Sequence, residues 1–176
     1  MRFASLGSGS RGNATLVEEG STLLLVDCGF SLRETERRLL RLGREPAQVS
    51  AILVTHEHGD HLSGVALFAR RYGVPVWLTA GTLAASNSDI AGCQVFSSHA
   101  SFAVGDVEIT PFPVPHDARE PTQFVFGNGA QRLGLLTDAG SLTPHIEQQL
   151  TACDALLLEC NHDRAMLANG IYPPVL

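Results

Sequence analysis

Residues 51–54, Ala-Ile-Leu-Val, are apolar without interruption and run straight into Thr55-His56-Glu57-His58-Gly59-Asp60-His61. A short apolar run closed by polar turn residues reads as a strand buried on both faces. Here the chemistry begins where the burial stops. Thr22 to Val26 has the same form and ends at Asp27. With 17 Gly, 9 Pro and only 17% charged residues, the composition describes a compact, turn-rich α/β protein.

The metal-capable residues are dense. In an extended segment alternate side chains point the same way, so His56 and His58 can hold one ion from one side. The turn at Gly59 swings Asp60 and His61 toward a neighbouring ion. Imidazole nitrogen with carboxylate oxygen suits Zn²⁺, Mn²⁺ or Fe²⁺, and the absence of a nearby thiolate argues against a purely structural zinc site. A single histidine would read as an ordinary surface or core residue. Three histidines and an aspartate within six positions do not.

The rest of the chain alternates short strands and helices. Ser31-Leu32-Arg33-Glu34 has the form of a capping box, Leu32, Leu39 and Leu40 recur at helical spacing, and Gly43 supplies a stop. A second helix is predicted from Leu62 to Tyr72, with Val65, Ala66, Ala69 and Tyr72 on one side. Gly73-Val74-Pro75 ends it, and Val76-Trp77-Leu78 is a strand. Ser101 to Val104 and Val107 to Phe112 form a hairpin through Gly105-Asp106. Gln123 to Phe126, Leu133 to Thr137 and Ala155 to Glu159 are further strands. Pro144 to Leu150 is a short helix with Thr143 at its N-cap. The pattern is one of mixed sheets flanked by helices.

At 176 residues with 44% hydrophobic side chains, residues 1–176 suit a single domain. Lys and Arg number 12 against 18 Asp and Glu, a net charge of −6. That is the wrong sign for holding nucleic acid over a broad basic face, so such a substrate would need a local basic patch or metal contacts. Cys28, Cys93, Cys153 and Cys160 contain no C-x-x-C pair, so neither a disulfide framework nor a zinc knuckle is indicated and a reduced, cytoplasmic setting is expected. No apolar stretch approaches the ~20 residues of a membrane span, no export signal is recognised, and no obligate protein partner is inferred.

Thr55 to His61 matches, position by position, the His-x-His-x-Asp-His pattern at the end of a buried strand that marks the metallo-β-lactamase superfamily, which the chain therefore resembles. The resemblance implies a four-layer αββα sandwich and a site for two divalent ions (Zn, Mn or Fe). It assigns His56, His58, Asp60 and His61 as ligands and asks for a later histidine and a bridging aspartate, roles that His116 and Asp138 fit. Their alternatives are capping or surface roles. Asp27 would orient a ligand or the metal loop by hydrogen bonds, or serve as a plain cap or turn residue. The family closes its second site with a final histidine near the C-terminus, for which nothing after His162 can serve. The chain therefore reads as C-terminally truncated.

Within the superfamily, Ser5 to Asn13 and Glu159-Cys160-Asn161-His162-Asp163 resemble a bacterial exonuclease or phosphodiesterase branch, the YycJ/WalJ group. By that resemblance Ser8, Ser10 and Asn13, with the backbone of their loop, would contact a substrate phosphate. The same loop is otherwise a tight turn between the first two strands. His162 would contact the leaving group or donate a proton, or else cap a helix together with its neighbours. Glu159 could belong to the same network.

The function so implied is hydrolysis of a phosphodiester, in nucleic acid or a small cyclic nucleotide, by a two-metal-activated hydroxide, with Asp60 orienting or deprotonating the water. A 5′-to-3′ DNA exonuclease is the specific form. Two alternatives stay open: an acyl hydrolase of thioesterase or lactonase type using the same ligands, and a non-catalytic metal-binding domain.

Overall fold

The computed structural model describes residues 1–86, 89–90 and 92–160. The chain opens with strand β1 (Arg2–Gly7), which turns back antiparallel into β2 (Ala14–Glu19), itself antiparallel to β3 (Thr22–Val26). Helix α1 (Leu32–Arg41) follows, with the Ser31 hydroxyl accepting the Glu34 backbone N–H. A 3₁₀ turn at Pro46–Gln48 leads to β4 (Ala51–Leu53), which lies parallel to β3 in the register Leu24↔Ala51, Leu25↔Ile52, Val26↔Leu53. Asp27 and the start of the metal loop thus leave the sheet side by side.

The helix predicted from Leu62 to Tyr72 starts later, as α3 (Val65–Tyr72), and a separate turn of helix, α2 (Gly59–Leu62), precedes it within the metal loop. The break falls at Gly64. Its N–H donates to the Cys28 carbonyl at 2.7 Å, and a Cβ there would stand 2.1 Å from the Phe30 carbonyl oxygen. A distant turn therefore uses the backbone group that would have continued the helix. Gly73 ends α3 in the left-handed region, as its place in the sequence predicts.

Strand β5 (Val76–Thr79), helix α4 (Ala80–Ala85) and edge strand β6 (Gln94–Phe96) complete a six-stranded sheet of order β1-β2-β3-β4-β5-β6. The hairpin of β7 (Phe102–Val104) and β8 (Val107–Pro113) opens a second sheet. It continues through β9 (Thr122–Gly127), β10 (Arg132–Leu136), helix α5 (Pro144–Leu150) and β11 (Ala155–Leu158), in the order β11-β10-β9-β8-β7. Thr143 caps α5 through its hydroxyl.

Alternation along the strands divides the core into layers. Leu24, Val26 and Leu53 of the first sheet meet Ile109, Phe124, Phe126 and Leu135 of the second, forming the inter-sheet core. Their neighbours Leu23, Leu25 and Ile52 face outward against Leu39 of α1 and Phe68 of α3. On the far side Phe112, Val125 and Leu136 pack on Ile146 of α5. The result is helix, sheet, sheet, helix. Each fully buried side chain such as Leu24 or Phe124 contributes about 1.5–3 kcal/mol through removal of apolar surface from water. Among the described residues no helix is long and apolar enough to cross a membrane.

Candidate metal centre

The ligand cluster lies where the C-terminal ends of strands from both sheets meet. His56 follows β4 and is buried, the short α2 carries Asp60 and His61, and His116 and Asp138 follow β8 and β10. The Thr122 N–H at the start of β9 donates to the Thr55 carbonyl at 3.0 Å, tying the second sheet to the metal loop. Asp27 and Asp138 both take positive φ, 59° and 46°. This is an uncommon conformation for a residue with a Cβ, and each stands just beyond a buried strand.

Two ligand sets form. In the first, His116 Nε2 stands 3.3 Å from His56 Nε2 and 3.3 Å from His58 Nδ1. In the second, His56, His61 and Asp138 converge, with His61 Nε2 3.0 Å from Asp138 Oδ2. His56 belongs to both. Asp60 stands beside the second set, its Oδ2 3.6 Å from His61 Nε2.

Every imidazole has an outer partner that fixes which nitrogen faces inward. Asp27 Oδ2 takes His61 Nδ1–H at 2.8 Å, leaving Nε2 inward. Thr55 donates its hydroxyl to the same Asp27 oxygen at 2.8 Å, so its lone pair can take His56 Nδ1–H at 3.0 Å. Asp27 Oδ1 accepts the Thr55 N–H at 2.8 Å. On the other side, His58 Nε2 lies 3.2 Å from the Asp117 carbonyl, and His116 Nδ1 lies 3.3 Å from Asp117 Oδ1. These partners turn Nε2 of His56, His61 and His116, and Nδ1 of His58, toward the centre.

Electrostatics bear the imprint of a cation site. Burial, reinforced by the neighbouring His61 and His116, pushes the His56 imidazole down to about 2. Burial would also lower His61, but the carboxylates of Asp27 and Asp138 overcome it and hold that group up to about 10. A metal-free site therefore keeps one proton on His61, between two carboxylates. Asp138 Oδ2 is buried without a hydrogen bond of good geometry. Inward-facing imidazole nitrogens, one of them carrying a displaceable proton, beside a buried carboxylate oxygen fit a divalent cation, with the nitrogen and oxygen donors such ions prefer.

The remaining candidates are distributed as follows. The Asn13 amide nitrogen lies 3.1 Å from Asp60 Oδ2, and its amide oxygen accepts the Gly9 N–H at 2.8 Å. The Ser8 hydroxyl donates to Glu159 Oε1 at 2.8 Å, and the Asp138 N–H points at Glu159 Oε2 at 3.4 Å, so the Gly-Ser loop and Glu159 share one network. Ser10 is exposed on the same loop. His162 lies outside the described residues. Sequence reasoning did not single out Thr55, Asp117 or Glu57 as supports. Glu57 accepts the Arg119 N–H at 2.7 Å and holds the His116 loop against the metal loop. The only local signal was adjacency: each of the three is a direct neighbour of a ligand.

Comparison with known proteins agrees with this geometry. The family model described as "Beta-lactamase superfamily domain" matches residues 22–172. The chain is 36% identical to exodeoxyribonuclease YycJ of Bacillus anthracis over 98% of its own length and 67% of that protein. It is 33% identical to exodeoxyribonuclease WalJ of Streptococcus pneumoniae serotype 2 over 97% of its length and 66% of that protein. It thus spans about two thirds of the length of these relatives. Among solved structures, Zn²⁺-bound PqqB from Methylobacterium extorquens superposes with a TM-score of 0.73 at 18% identity, covering 93% of this chain and 67% of that one. With αββα layers, convergent ligand sets and family match in agreement, the chain belongs to the metallo-β-lactamase superfamily.

Proposed function

We propose that the chain is the metal-binding part of a phosphodiesterase acting on nucleic acid, in its specific form a 5′-to-3′ DNA exonuclease with two divalent ions (Zn, Mn or Fe). The observation that carries this reading is the pair of ligand sets sharing His56, on a chain similar over nearly its whole length to proteins named exodeoxyribonucleases. His56, His58 and His116 would hold one ion; His61, Asp138 and Asp60 would hold the other beside His56.

When bound, the ions would polarise a phosphoryl oxygen and lower the pKa of a coordinated water toward ~7. The protein's own contribution is position and proton handling. Asp27, Thr55 and Asp117 would fix the outer nitrogens so that the inward ones face the ions, and Asp60 would orient an attacking water and accept its proton. Ser8, Ser10 and the backbone of their loop would meet a substrate phosphate, and His162 would return a proton to the leaving oxygen. A net charge of −6 makes ions and this loop, rather than a basic face, the recognition device for a polyanion. We also propose a reducing, cytoplasmic setting, for which the four free cysteines speak, and a single domain over 1–176.

The test is hydrolysis of 5′-phosphorylated DNA by the full-length protein loaded with Mn²⁺ or Zn²⁺, beside a thioester and a lactone. DNA cleavage abolished by EDTA and by His58→Ala is the expected result. Acyl turnover without DNA cleavage would replace the reading with a thioesterase or lactonase, and metal uptake without any turnover would make this a binding domain.

A further inference from the structure

Asn13 is almost fully buried, 6% exposed, on a loop that otherwise faces solvent at Ser8, Ser10 and Arg11. Its surroundings determine its orientation completely. The Gly9 N–H donates to the side-chain oxygen at 2.8 Å, so the other end of the amide must be the nitrogen. That nitrogen has the Asp60 carboxylate at 3.1 Å, the Gly9 carbonyl at 3.3 Å and His61 Nε2 at 3.0 Å. The main chain grips the same residue: the Asn13 N–H donates to the Asp60 carbonyl at 2.7 Å, and its own carbonyl accepts the Gly29 N–H at 3.0 Å. Asp60 is therefore held twice by one residue, at its backbone and at its carboxylate.

A charged acceptor takes a stronger hydrogen bond than a neutral one. The hydrogen bond from the Asn13 side-chain amide therefore holds Asp60 Oδ2, the oxygen that stands 3.6 Å from His61 Nε2. We propose that Asn13 is a positioning residue that holds the Asp60 carboxylate for the second ion, so the Gly-Ser loop acts on the reaction through Asp60 as well as by any contact with a phosphate. This inference rests on the two-ion reading above. It predicts that the loop and the second ligand set are one unit, whereas the first set, His56, His58 and His116, has no bond to Asn13.

The test is Mn²⁺ titration of the full-length protein as wild type, Asn13→Ala, the isosteric Asn13→Asp and, as a control, Arg33→Ala at an exposed position of α1, each checked for fold by circular dichroism. The expected result is a second equivalent bound about 10–100-fold more weakly in both Asn13 variants, with the first equivalent and the Arg33→Ala protein unchanged. On DNA, kcat should fall with KM nearly constant. Wild-type binding of both equivalents combined with a raised KM would overturn the proposal in favour of direct substrate contact. Loss of both equivalents together would overturn it in favour of a purely structural role. If the wild type takes up only one equivalent, the two-ion reading fails by itself. Metal-free crystal structures then decide: Asp60 turned away from His61 in Asn13→Ala sustains the proposal, and an unmoved carboxylate refutes it.

Discussion

The Asp27 carboxylate takes the Nδ1–H of His61 at 2.8 Å with one oxygen and the Thr55 backbone N–H at 2.8 Å with the other. Asp27→Asn should keep the second contact through its amide oxygen but turn an NH₂ group toward His61. The imidazole would then carry its proton on Nε2, where an ion must bind. Metal affinity should fall about 10–100-fold with the fold retained, as read by competition with a chelator.

Thr55 relays between Asp27 and His56. Thr55→Val preserves shape and removes the hydroxyl, leaving His56 Nδ1–H buried without its acceptor. Stability of the metal-free protein should drop by about 1–3 kcal/mol, measured by chemical denaturation. An unchanged midpoint would show that the hydroxyl has no such part.

Gly29, in the turn after β3, packs its backbone directly against the metal loop. A Cβ there would stand 1.6 Å from the Asp60 carbonyl oxygen, whereas one at Gly43 would meet nothing within 4 Å. Gly29→Ala should displace the loop and abolish metal binding. Gly43→Ala, with φ at +68°, should cost only about 1–2 kcal/mol and leave binding intact. Equal metal uptake by the two variants would contradict the packing described.

Metal uptake should release a proton. Burial lowers His61, but Asp27 and Asp138 outweigh it and hold the group up to about 10, so at pH 7 to 8 the metal-free site is protonated there. An ion on Nε2 must displace that proton, and apparent affinity should rise as pH rises toward the folded pKa. Calorimetry in buffers of different ionisation enthalpy would count the protons; an affinity independent of pH would be inconsistent with this charge arrangement.

What could be read in the sequence follows from how local each signal is. β3 and β4 are legible because both of their faces are buried, so every residue from Leu23 to Val26 and from Ala51 to Leu53 is apolar. β6 is not: it is an edge strand of three residues with Gln94 and Val95 exposed, which leaves no period to detect. The break at Gly64 depends on Cys28 and Phe30, more than thirty positions earlier, and no window around residue 64 contains it. The cluster from His56 to His61 was visible because it is contiguous. His116 and Asp138 were assigned through family resemblance, and the structure brings both into the ligand sets. The roles of Thr55, Asp117 and Asn13 arise only when turns far apart in the chain face one another.

Among the described residues the first sheet is built from residues 2–96 and the second from residues 102–158. His56, His58 and His61 come from the earlier half, and His116 and Asp138 from the later one. Neither half alone can complete either ligand set. During synthesis the histidine loop leaves the ribosome before its partners exist, and either set is complete only when the second sheet has closed over the first. An ion seated there would clasp the two halves together, since its ligands come from both.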